Sequence, residues 1–265
     1  MSQEPKTWHY GLMARYWAEF NTGGPEIEYF QRQIENFGEP ALDVACGAGR
    51  LLIPFLRAGL DVDGCDLSAD MLAYCREAAA REGFSPRLYQ QANHELHLPR
   101  TYRTICVCGG FGIGGSRKQD LAALGRFNQY LQPGGALVLN HHLPYESPSE
   151  WRYWLRENRR QLTDTWPPPG DRERTSDGDE LSSQYRIVDV DPLEQLITRQ
   201  IRVELWRDGQ RVAQEEYTLL ERMYFKNELL LMLAMAGFDD IFVAGNHTKY
   251  EATAEDDILV FIARK

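Results

Sequence analysis

Short apolar runs alternate with helical patterns over residues 41–143, and this alternation constrains the fold of the 265-residue chain more than any other feature. Such alternation is typical of βαβ units, in which a crossover helix joins two parallel strands. We predict strands at 41–45, 61–65, 87–92, 104–108 and 136–140. We predict crossover helices at 50–58, 69–82 and 119–131. The sequence therefore predicts an α/β fold with a doubly wound, mainly parallel sheet.

The pattern changes after residue 145. Residues 147–150 (Ser-Pro-Ser-Glu) have capping-box spacing with proline in the first helical position, which predicts a helix up to about Leu162. Three long segments then alternate polar and apolar residues, as half-buried strands do. These segments are 182–190, 193–207 and 211–222. The turn signal Asp208-Gly209 joins the last two as a hairpin, so residues 146–222 are predicted to be an antiparallel β insertion that covers the substrate.

The insertion divides a single predicted domain into two parts, residues 1–145 and 223–265. The second part begins with a predicted helix at 227–236, and two strands follow at 240–244 and 258–263. The connection between those strands has no helical pattern, whereas parallel neighbours need a crossover of a dozen or more residues that is usually a helix. We therefore expect the last two strands to pair antiparallel.

A glycine turn follows the first predicted strand within Leu42–Arg50 (LDVACGAGR). Glycine suits such a turn because it tolerates positive φ angles and lets a ligand approach the backbone. Asp66 ends the second strand, at a separation that lets an acidic side chain bind both ribose hydroxyls of an adenosine ligand. A dinucleotide fingerprint would need a third glycine where this chain has Leu52, which disfavours pyrophosphate binding. The pattern indicates an adenosine-containing cofactor.

Four motifs resemble those of the class I S-adenosylmethionine-dependent methyltransferases, within the group that acts on small molecules. They are LDVACGAGR (42–50), GCDLSADML (64–72), LQPGGALVLNH (131–141) and LLLMLAMAGFDDIFV (229–243). They occur in the order typical of that family. The resemblance implies a Rossmann-like sheet of strand order 3-2-1-4-5-7-6 with strand 7 antiparallel. This arrangement agrees with the antiparallel pairing inferred from the C-terminal connection.

The resemblance also implies S-adenosyl-L-methionine as the cofactor. Asp43 and the glycine turn would line its methionine and sulfonium end, Asp66 would hold the ribose hydroxyls, and Leu67 and Met71 would flank the adenine. Such a cofactor carries a methyl group on a good leaving group. Methyl transfer would then be an in-line displacement to an N or O atom of a small molecule, for which the protein mainly positions the reactants.

Two positions depart from the family pattern. Ala45 stands where the family has its first glycine, and the acid that often contacts adenine after strand three has no counterpart, so that role falls to Ala92 and Asn93. Gly109 and Gly110, which follow strand four, would leave space for the acceptor. An N-terminal aromatic segment containing Trp17 resembles one that closes over the cofactor, although a helix packed on the sheet explains it equally well. The full predicted cofactor-binding set is Tyr16, Asp43, Ala45, Gly47, Gly49, Asp66, Leu67, Met71, Ala92, Asn93, Gly109, Gly110 and Phe111.

A general base is needed only if the acceptor carries a proton of high pKa. His141 and His142 end the fifth strand and are the candidates, because histidine titrates near neutral pH. At most one of them can face the crevice, since side chains alternate along a strand. We interpret His94 and His97 as surface residues because no further ligand completes a metal site, and we predict no bound metal.

The net charge of −10 disfavours nucleic acid and anionic membranes as partners, because no dense Lys/Arg block accompanies it. No segment approaches the roughly 18 apolar residues that span a bilayer. The N-terminal residues lack the basic start and apolar run of a signal peptide, so a cytoplasmic location is expected. The expected partner is a small-molecule methyl acceptor, and the sequence leaves open whether the chain is a monomer or a homodimer.

Two other functions fit part of the pattern. An NAD-dependent oxidoreductase shares the strand-turn-helix arrangement, but Leu52 and the antiparallel final strands disfavour it. A non-catalytic regulatory protein that binds an adenosyl ligand would keep the same binding residues, which indicate binding and not turnover: Asp43, Gly47, Gly49 and Asp66. The sequence alone leaves this alternative open.

Overall fold

Two β-sheets organise the chain in the computed structural model, which describes residues 7–265. In chain order the strands are β1 (Ala41–Val44), β2 (Val62–Asp66), β3 (Leu88–Gln90), β4 (Tyr102–Val107), β5 (Leu131–His142), β6 (Glu173–Arg174), β7 (Glu180–Asp191), β8 (Leu196–Arg207), β9 (Gln210–Arg222), β10 (Asp240–Gly245) and β11 (Ile258–Arg264). The first sheet has the order β3-β2-β1-β4-β5-β11-β10. Only β11 runs antiparallel to its neighbours β5 and β10. The predicted strand order, with its antiparallel strand, is confirmed.

Helices cover both faces of this sheet. The α-helices of the described residues are, in chain order, α1 (Gly11–Phe20), α2 (Glu26–Phe37), α3 (Leu52–Arg57), α4 (Ala69–Arg81), α5 (Arg117–Tyr130), α6 (Pro148–Trp151), α7 (Arg156–Arg159) and α8 (Lys226–Met235). Phe30 of α2 and Phe55 of α3 are buried with Ala41 on one face of the sheet. Phe127 of α5 and Leu233 of α8 are buried on the other face, so the sheet is doubly wound as predicted.

The second sheet is antiparallel, with the order β6-β7-β8-β9. Its β8–β9 hairpin turns at Asp208 and Gly209, whose φ angles of 51° and 75° both lie in the left-handed region. Two such residues make the tight turn that matches the twist of paired strands. This is the antiparallel sheet predicted for the insertion.

Helix α1 packs on the second sheet, and side chains from α4 and β9 hold its N-terminal end. Met13 is buried against Leu181 and Val203. The first backbone N–H groups of the helix, which have no partner within it, donate to side chains elsewhere: Gly11 N to Asp70 Oδ2 at 2.8 Å and Leu12 N to Glu215 Oε2 at 2.8 Å. The start of the helix is therefore fixed both to α4 and to the second sheet.

The loop after β4 joins the two sheets. Gly112 O accepts from Arg222 N at 2.8 Å, and Gly114 N donates to Leu220 O at 2.7 Å. A Cβ at Gly112, whose φ is 83°, would come within 2.6 Å of Arg222 O. Glycine is required here because a side chain would separate the loop from β9. This contact places the second sheet over the carboxyl edge of the first.

The single helix predicted up to Leu162 is wrong. The segment forms α6, a 3₁₀ turn at Arg152–Trp154 and α7, and the backbone is extended at Leu155 (φ −81°, ψ 135°). Trp151 and Trp154 stack at 5.1 Å, and both contact Phe225. Tertiary packing of these aromatic rings overrides the helical pattern.

Among the described residues, no helix has the length and apolar character needed to cross a membrane.

Candidate active site

A cavity of about 680 Å³ opens at the carboxyl ends of β1, β2 and β4. The loops after these strands form one wall. Helix α1 and the inner face of β7, β8 and β9 form the other. The cavity therefore lies between the two sheets, in the crevice where open α/β sheets bind their ligands.

The loop after β1 contains left-handed positions at Ala45 and Gly47. Ala45 and Gly47 have φ angles of 56° and 54°, and both line the cavity. Gly47 N donates to Asp66 Oδ2 at 2.9 Å, which ties this turn to the end of β2. Backbone of this shape leaves peptide groups open to a ligand, as the glycine motif predicted.

Ala45 and Gly110 face each other across the cavity floor. A Cβ built on Gly110 would overlap the Cβ of Ala45, while its next neighbours are 3.8 Å or more away. The substitution of the family's first glycine by Ala45 is therefore matched by the absence of a side chain at Gly110. Both residues line the cavity.

Asp66 is buried, and backbone N–H groups satisfy its carboxylate. Besides Gly47, Ser68 N donates to its Oδ1 at 2.8 Å. Burial raises the pKa of Asp66, and these hydrogen bonds oppose the shift. Ser68 also caps α4 by accepting from Met71 N at 3.1 Å. Leu67 and Met71 line the cavity next to this carboxylate, as predicted for the adenine end.

Asp43 lines the cavity from the C-terminal end of β1, and its exposed fraction is 2%. Its Oδ2 is buried without a hydrogen-bond partner among the described residues. Burial raises the pKa of Asp43 to about 7, which Arg50 opposes and Asp66 reinforces. An unpaired buried carboxylate oxygen is costly. A cationic N–H donor of a ligand would satisfy it.

Arg50 is a cavity residue that the motif analysis did not identify as a ligand, although it directly follows the glycine turn. It forms an ion pair with Glu26 of α2, and its Nη2 lies 3.5 Å from Cys108 Sγ. Its side chain is 18% exposed. These contacts hold a guanidinium group at the cavity wall close to Asp43, where it can bind a carboxylate.

The loops after β3 and β4 complete the floor. Ala92, Asn93, Gly109 and Gly110 all line the cavity. Asn93 Nδ2 donates to Gly110 O at 3.4 Å, and Gly109 N donates to Asn140 Oδ1 at 2.6 Å. Asn140 lies on β5, so the amide of Asn140 fixes the glycine loop.

Tyr16 of α1 lines the cavity from the opposite side, together with Trp17. Its hydroxyl donates to Glu173 Oε1 at 2.5 Å. Burial raises the pKa of Tyr16, and Glu173 adds to the shift. Helix α1 packs on the second sheet and lines the cavity, and closure of this segment over the cofactor stays a prediction.

Two predicted cofactor residues lie outside the lining of the described cavity. Gly49 has a φ of 91°, but a Cβ there would meet Cys75 Sγ at 2.9 Å, so it serves helix packing behind the turn. Phe111 is buried in the core with its ring 5.5 Å from that of Tyr224. The loop after β4 turns sharply at Gly112, and this turn directs Phe111 inward.

The two candidates for a general base, His141 and His142, also lie outside the lining of the described cavity. His141 Nε2 accepts from Tyr224 N at 3.0 Å, and burial lowers the pKa of His141 to about 3, so its ring is neutral. His142 is exposed and pairs with Glu146 at 2.5 Å. The geometry gives neither residue a place beside a bound acceptor.

His94 lines the cavity, so its interpretation as a surface residue is wrong. The 3₁₀ turn at Asn93–Glu95 places its Nε2 3.1 Å from Gln119 Nε2 at the start of α5. His97 is exposed, as expected. No group of three or more His, Cys, Asp or Glu side chains suited to a metal ion occurs within residues 7–265.

The second sheet contributes an ion-paired cluster to the cavity wall. Arg199 of β8 donates through Nη1 and Nη2 to the two oxygens of Glu150 at 2.6 and 2.7 Å. Its Nε donates to Glu221 Oε2 of β9 at 2.7 Å. All three residues line the cavity. No local pattern predicts this cluster, because its members are far apart in the chain: Arg199 and Glu221 meet through the register of β8 against β9, and Glu150 comes from α6.

Residues 41–135 match the family model described as a methyltransferase domain. The chain is 32% identical over 118 residues to a ribosomal RNA small subunit methyltransferase C from Alcanivorax borkumensis, covering 42% of this chain and 35% of that protein. It is 30% identical over 99 residues to a dTDP-3-amino-3,4,6-trideoxy-alpha-D-glucopyranose N,N-dimethyltransferase from Streptomyces venezuelae, covering 37% of this chain and 40% of that protein. The chain spans half or less of the length of the curated relatives it matches.

A solved structure extends the similarity to the whole chain. An S-adenosylmethionine-dependent methyltransferase from Clostridium acetobutylicum superposes with a TM-score of 0.67 at 15% identity, covering 96% of this chain and 97% of that one. At this identity the match shows the fold. The family model confirms the predicted resemblance to methyltransferases over residues 41–135, and this structure confirms the predicted fold.

Proposed function

We propose, from the methyltransferase domain at residues 41–135, that this protein uses S-adenosyl-L-methionine to methylate a nitrogen or oxygen atom of a small molecule. The observation that carries the proposal is one cavity with two walls. Asp43, Gly47 and Asp66 lie on the wall of the first sheet, and an ion-paired cluster lies on the wall of the second. A cofactor and an acceptor would meet between them.

The residues on the first wall fit S-adenosylmethionine group by group. Asp66 would bind the ribose hydroxyls, and Leu67 and Met71 would flank the adenine. The unpaired oxygen of Asp43 would accept from the ammonium group, and Arg50 would bind the carboxylate. Each polar group of such a ligand would thereby find a partner of opposite character.

The cofactor, when bound, supplies a methyl group on a positively charged sulfur that an acceptor displaces in line. The protein's contribution is position, because holding two reactants in attack geometry is worth roughly 7–11 kcal/mol. Gly109 and Gly110 leave space for the acceptor at the cavity floor. Tyr16 and Trp17 would exclude water from the opposite side.

Residues 146–222 are proposed to act as the substrate lid of a domain formed by 1–145 and 223–265. Support comes from the position of β8 and β9, whose inner faces form a wall of the cavity. The hydrogen bonds between the loop after β4 and β9 would keep that wall in place over the cofactor.

The size of the cavity favours a small acceptor over nucleic acid, although one relative is named for ribosomal RNA. A volume of about 680 Å³ suits a cofactor and a small molecule. The net charge of −10 disfavours a polyanion. A cytoplasmic location remains a prediction.

An NAD-dependent oxidoreductase is disfavoured by Leu52, which is fully buried on α3 and packs against Gly64 of β2. The third glycine of a dinucleotide fingerprint would occupy this position. A regulatory adenosyl-binding protein would share the first wall, so only a transfer assay separates it from an enzyme.

Isothermal calorimetry with S-adenosylhomocysteine and with NADH tests the cofactor. We expect S-adenosylhomocysteine to bind and NADH to give no heat. No uptake of S-adenosylhomocysteine by folded protein would refute the proposal. Incubation with methyl-labelled S-adenosylmethionine and a panel of amines, phenols and acids tests turnover. Absence of transfer across the panel would favour the regulatory function.

A further inference from the structure

The ion-paired cluster on the second sheet carries a net negative charge. Glu150 and Glu221 supply two carboxylates against the single guanidinium of Arg199, whose side chain is 12% exposed. Three nitrogens of Arg199 donate to these carboxylates. The positive charge of Arg199 therefore balances only one of the two carboxylates. One unit of negative charge remains on the cavity wall.

We propose that this cluster recognises a protonated amine on the methyl acceptor, with Glu150 and Glu221 as the residues that select a cationic substrate over a neutral or anionic one. The inference rests on the proposed methyltransferase function and deepens it by naming the substrate class.

The charge balance of the wall supports a cation. An ammonium group would neutralise the remaining charge of the cluster, while an anionic acceptor would bring like charges together in a partly desolvated space. The other guanidinium on the cavity, that of Arg50, is paired with Glu26 at the cofactor end. Arg50 therefore does not offset the charge at the acceptor end.

The position of Glu221 links the cluster to the cofactor wall. Glu221 forms an isolated β-bridge with Ile113, in the loop that continues from Gly109 and Gly110. An amine bound by Glu221 would thus lie beside the loop where the acceptor atom is expected. Before an ammonium nitrogen can attack carbon it must lose a proton, and this proton can pass from the nitrogen to a Glu221 carboxylate oxygen.

Side chains around the cluster offer contacts for the rest of the acceptor. Ser183, Ile201 and Leu219 share the inner face of the sheet and line the same cavity, and Tyr185 lies at its rim with 60% of its surface exposed. A hydroxyl, two aliphatic side chains and an aromatic ring suit a substrate with both polar and apolar parts. Selection by charge remains the role of the carboxylates of Glu150 and Glu221.

Thermal shift on protein loaded with S-adenosylhomocysteine tests the inference with matched probes. Each probe set keeps one ring and compares an amine, an alcohol and a carboxylate on it. The sets are glucosamine, glucose and glucuronate; benzylamine, benzyl alcohol and benzoate; and cyclohexylamine, cyclohexanol and cyclohexanecarboxylate. We expect amines to raise the melting temperature more than their partners. Calorimetry then gives the dissociation constant of the best amine.

Three variants locate the effect. Glu221→Gln should weaken amine binding about tenfold, because it removes a charged partner at nearly constant volume. Glu221→Asp keeps the charge and should restore part of the affinity. The control is Glu216→Gln, which lies on the same strand but pairs with Arg202 on the opposite face of the sheet. This control should leave amine binding unchanged.

The inference is overturned if no amine raises the melting temperature, if alcohols or carboxylates bind as well as their matched amines, or if Glu221→Gln binds the amine like wild type. Affinity for S-adenosylhomocysteine is measured in parallel. Loss of that binding in the wild type refutes the proposed function, whereas intact binding with no amine preference refutes only the substrate class.

Discussion

The methyl group of Ala45 occupies the space that a side chain at Gly110 would need. The two residues follow different strands, β1 and β4, and meet at the floor of the cavity. Ala45 also lies in the left-handed region, at a φ of 56°, where an L-residue with a side chain is strained. The two positions are therefore coupled, and neither can be changed without regard to the other.

Gly110→Ala should destabilise the protein by about 1–3 kcal/mol, because the added methyl overlaps that of Ala45. Adding Ala45→Gly should restore most of the loss, since it removes the opposing methyl and relieves the positive φ. Urea unfolding of wild type, both single variants and the double variant gives the coupling energy. Additive effects would show that the two methyl groups do not compete.

Asp66→Ala should weaken S-adenosylhomocysteine binding at least about tenfold, because it removes the acceptor for ribose hydroxyls and releases the Gly47 turn. Calorimetry measures the change. Glu77→Gln is the control, since this exposed residue lies on the adjacent helix α4 away from the cavity. Undiminished binding by Asp66→Ala would contradict the ribose assignment.

Cofactor affinity should depend on pH through Asp43, whose pKa is raised by burial from 3.8 to about 7. A raised folded-state pKa means that the stability contributed by protonated Asp43 is present at low pH and lost as pH rises through about 7. The pH dependence of ligand affinity has the opposite sign, because the ammonium group of the ligand needs the ionised carboxylate of Asp43. We expect affinity for S-adenosylhomocysteine to fall about tenfold between about pH 8 and about pH 6.

Asp43→Asn removes the titrating group and supplies the comparison for this pH series. It should bind S-adenosylhomocysteine weakly at every pH, with a flat profile over the same range. Calorimetry in buffers of matched ionic strength measures both proteins. A wild-type profile as flat as that of the variant would show that Asp43 does not face the ligand's ammonium group.

Arg50→Gln should weaken S-adenosylhomocysteine about tenfold and leave 5′-methylthioadenosine unchanged, because only the former has a carboxylate for the guanidinium. Competition calorimetry compares the two ligands. Arg57→Gln, at the exposed end of α3, is the matched control. Equal losses for both ligands would indicate that Arg50 acts through the packing of Glu26 and not through the carboxylate.

Local sequence patterns were enough to predict residues that form the cavity wall of the first sheet. The glycine turn and the acid at the end of β2 lie within a short stretch of chain, and Gly47 N does meet Asp66 in the structure. The strand order was predicted from the resemblance of four motifs to the methyltransferase family, and the antiparallel final pair also from the connection between β10 and β11. These features depend on backbone conformation, which a residue such as glycine specifies directly.

Side-chain direction was harder to predict. Gly49 belongs to the turn but faces Cys75, and His141 ends β5 but points to Tyr224. A shift of one residue in a turn or strand reverses the face that a side chain occupies. The pairing of Arg199 with Glu221 depends on the register of β8 against β9, which the alternating pattern of each strand does not fix.

The antiparallel strand β11 also covers the edges of two other strands. Ile258–Arg264 lies between β5 and β10, and it pairs with both. Until these residues are available, β5 and β10 each present an unpaired edge, and such edges invite association with other chains. The contacts between β5 and β11 join segments more than a hundred residues apart, and non-local pairings of this kind are slow to form, so this topology leaves those edges dependent on a late-synthesised strand for their protection.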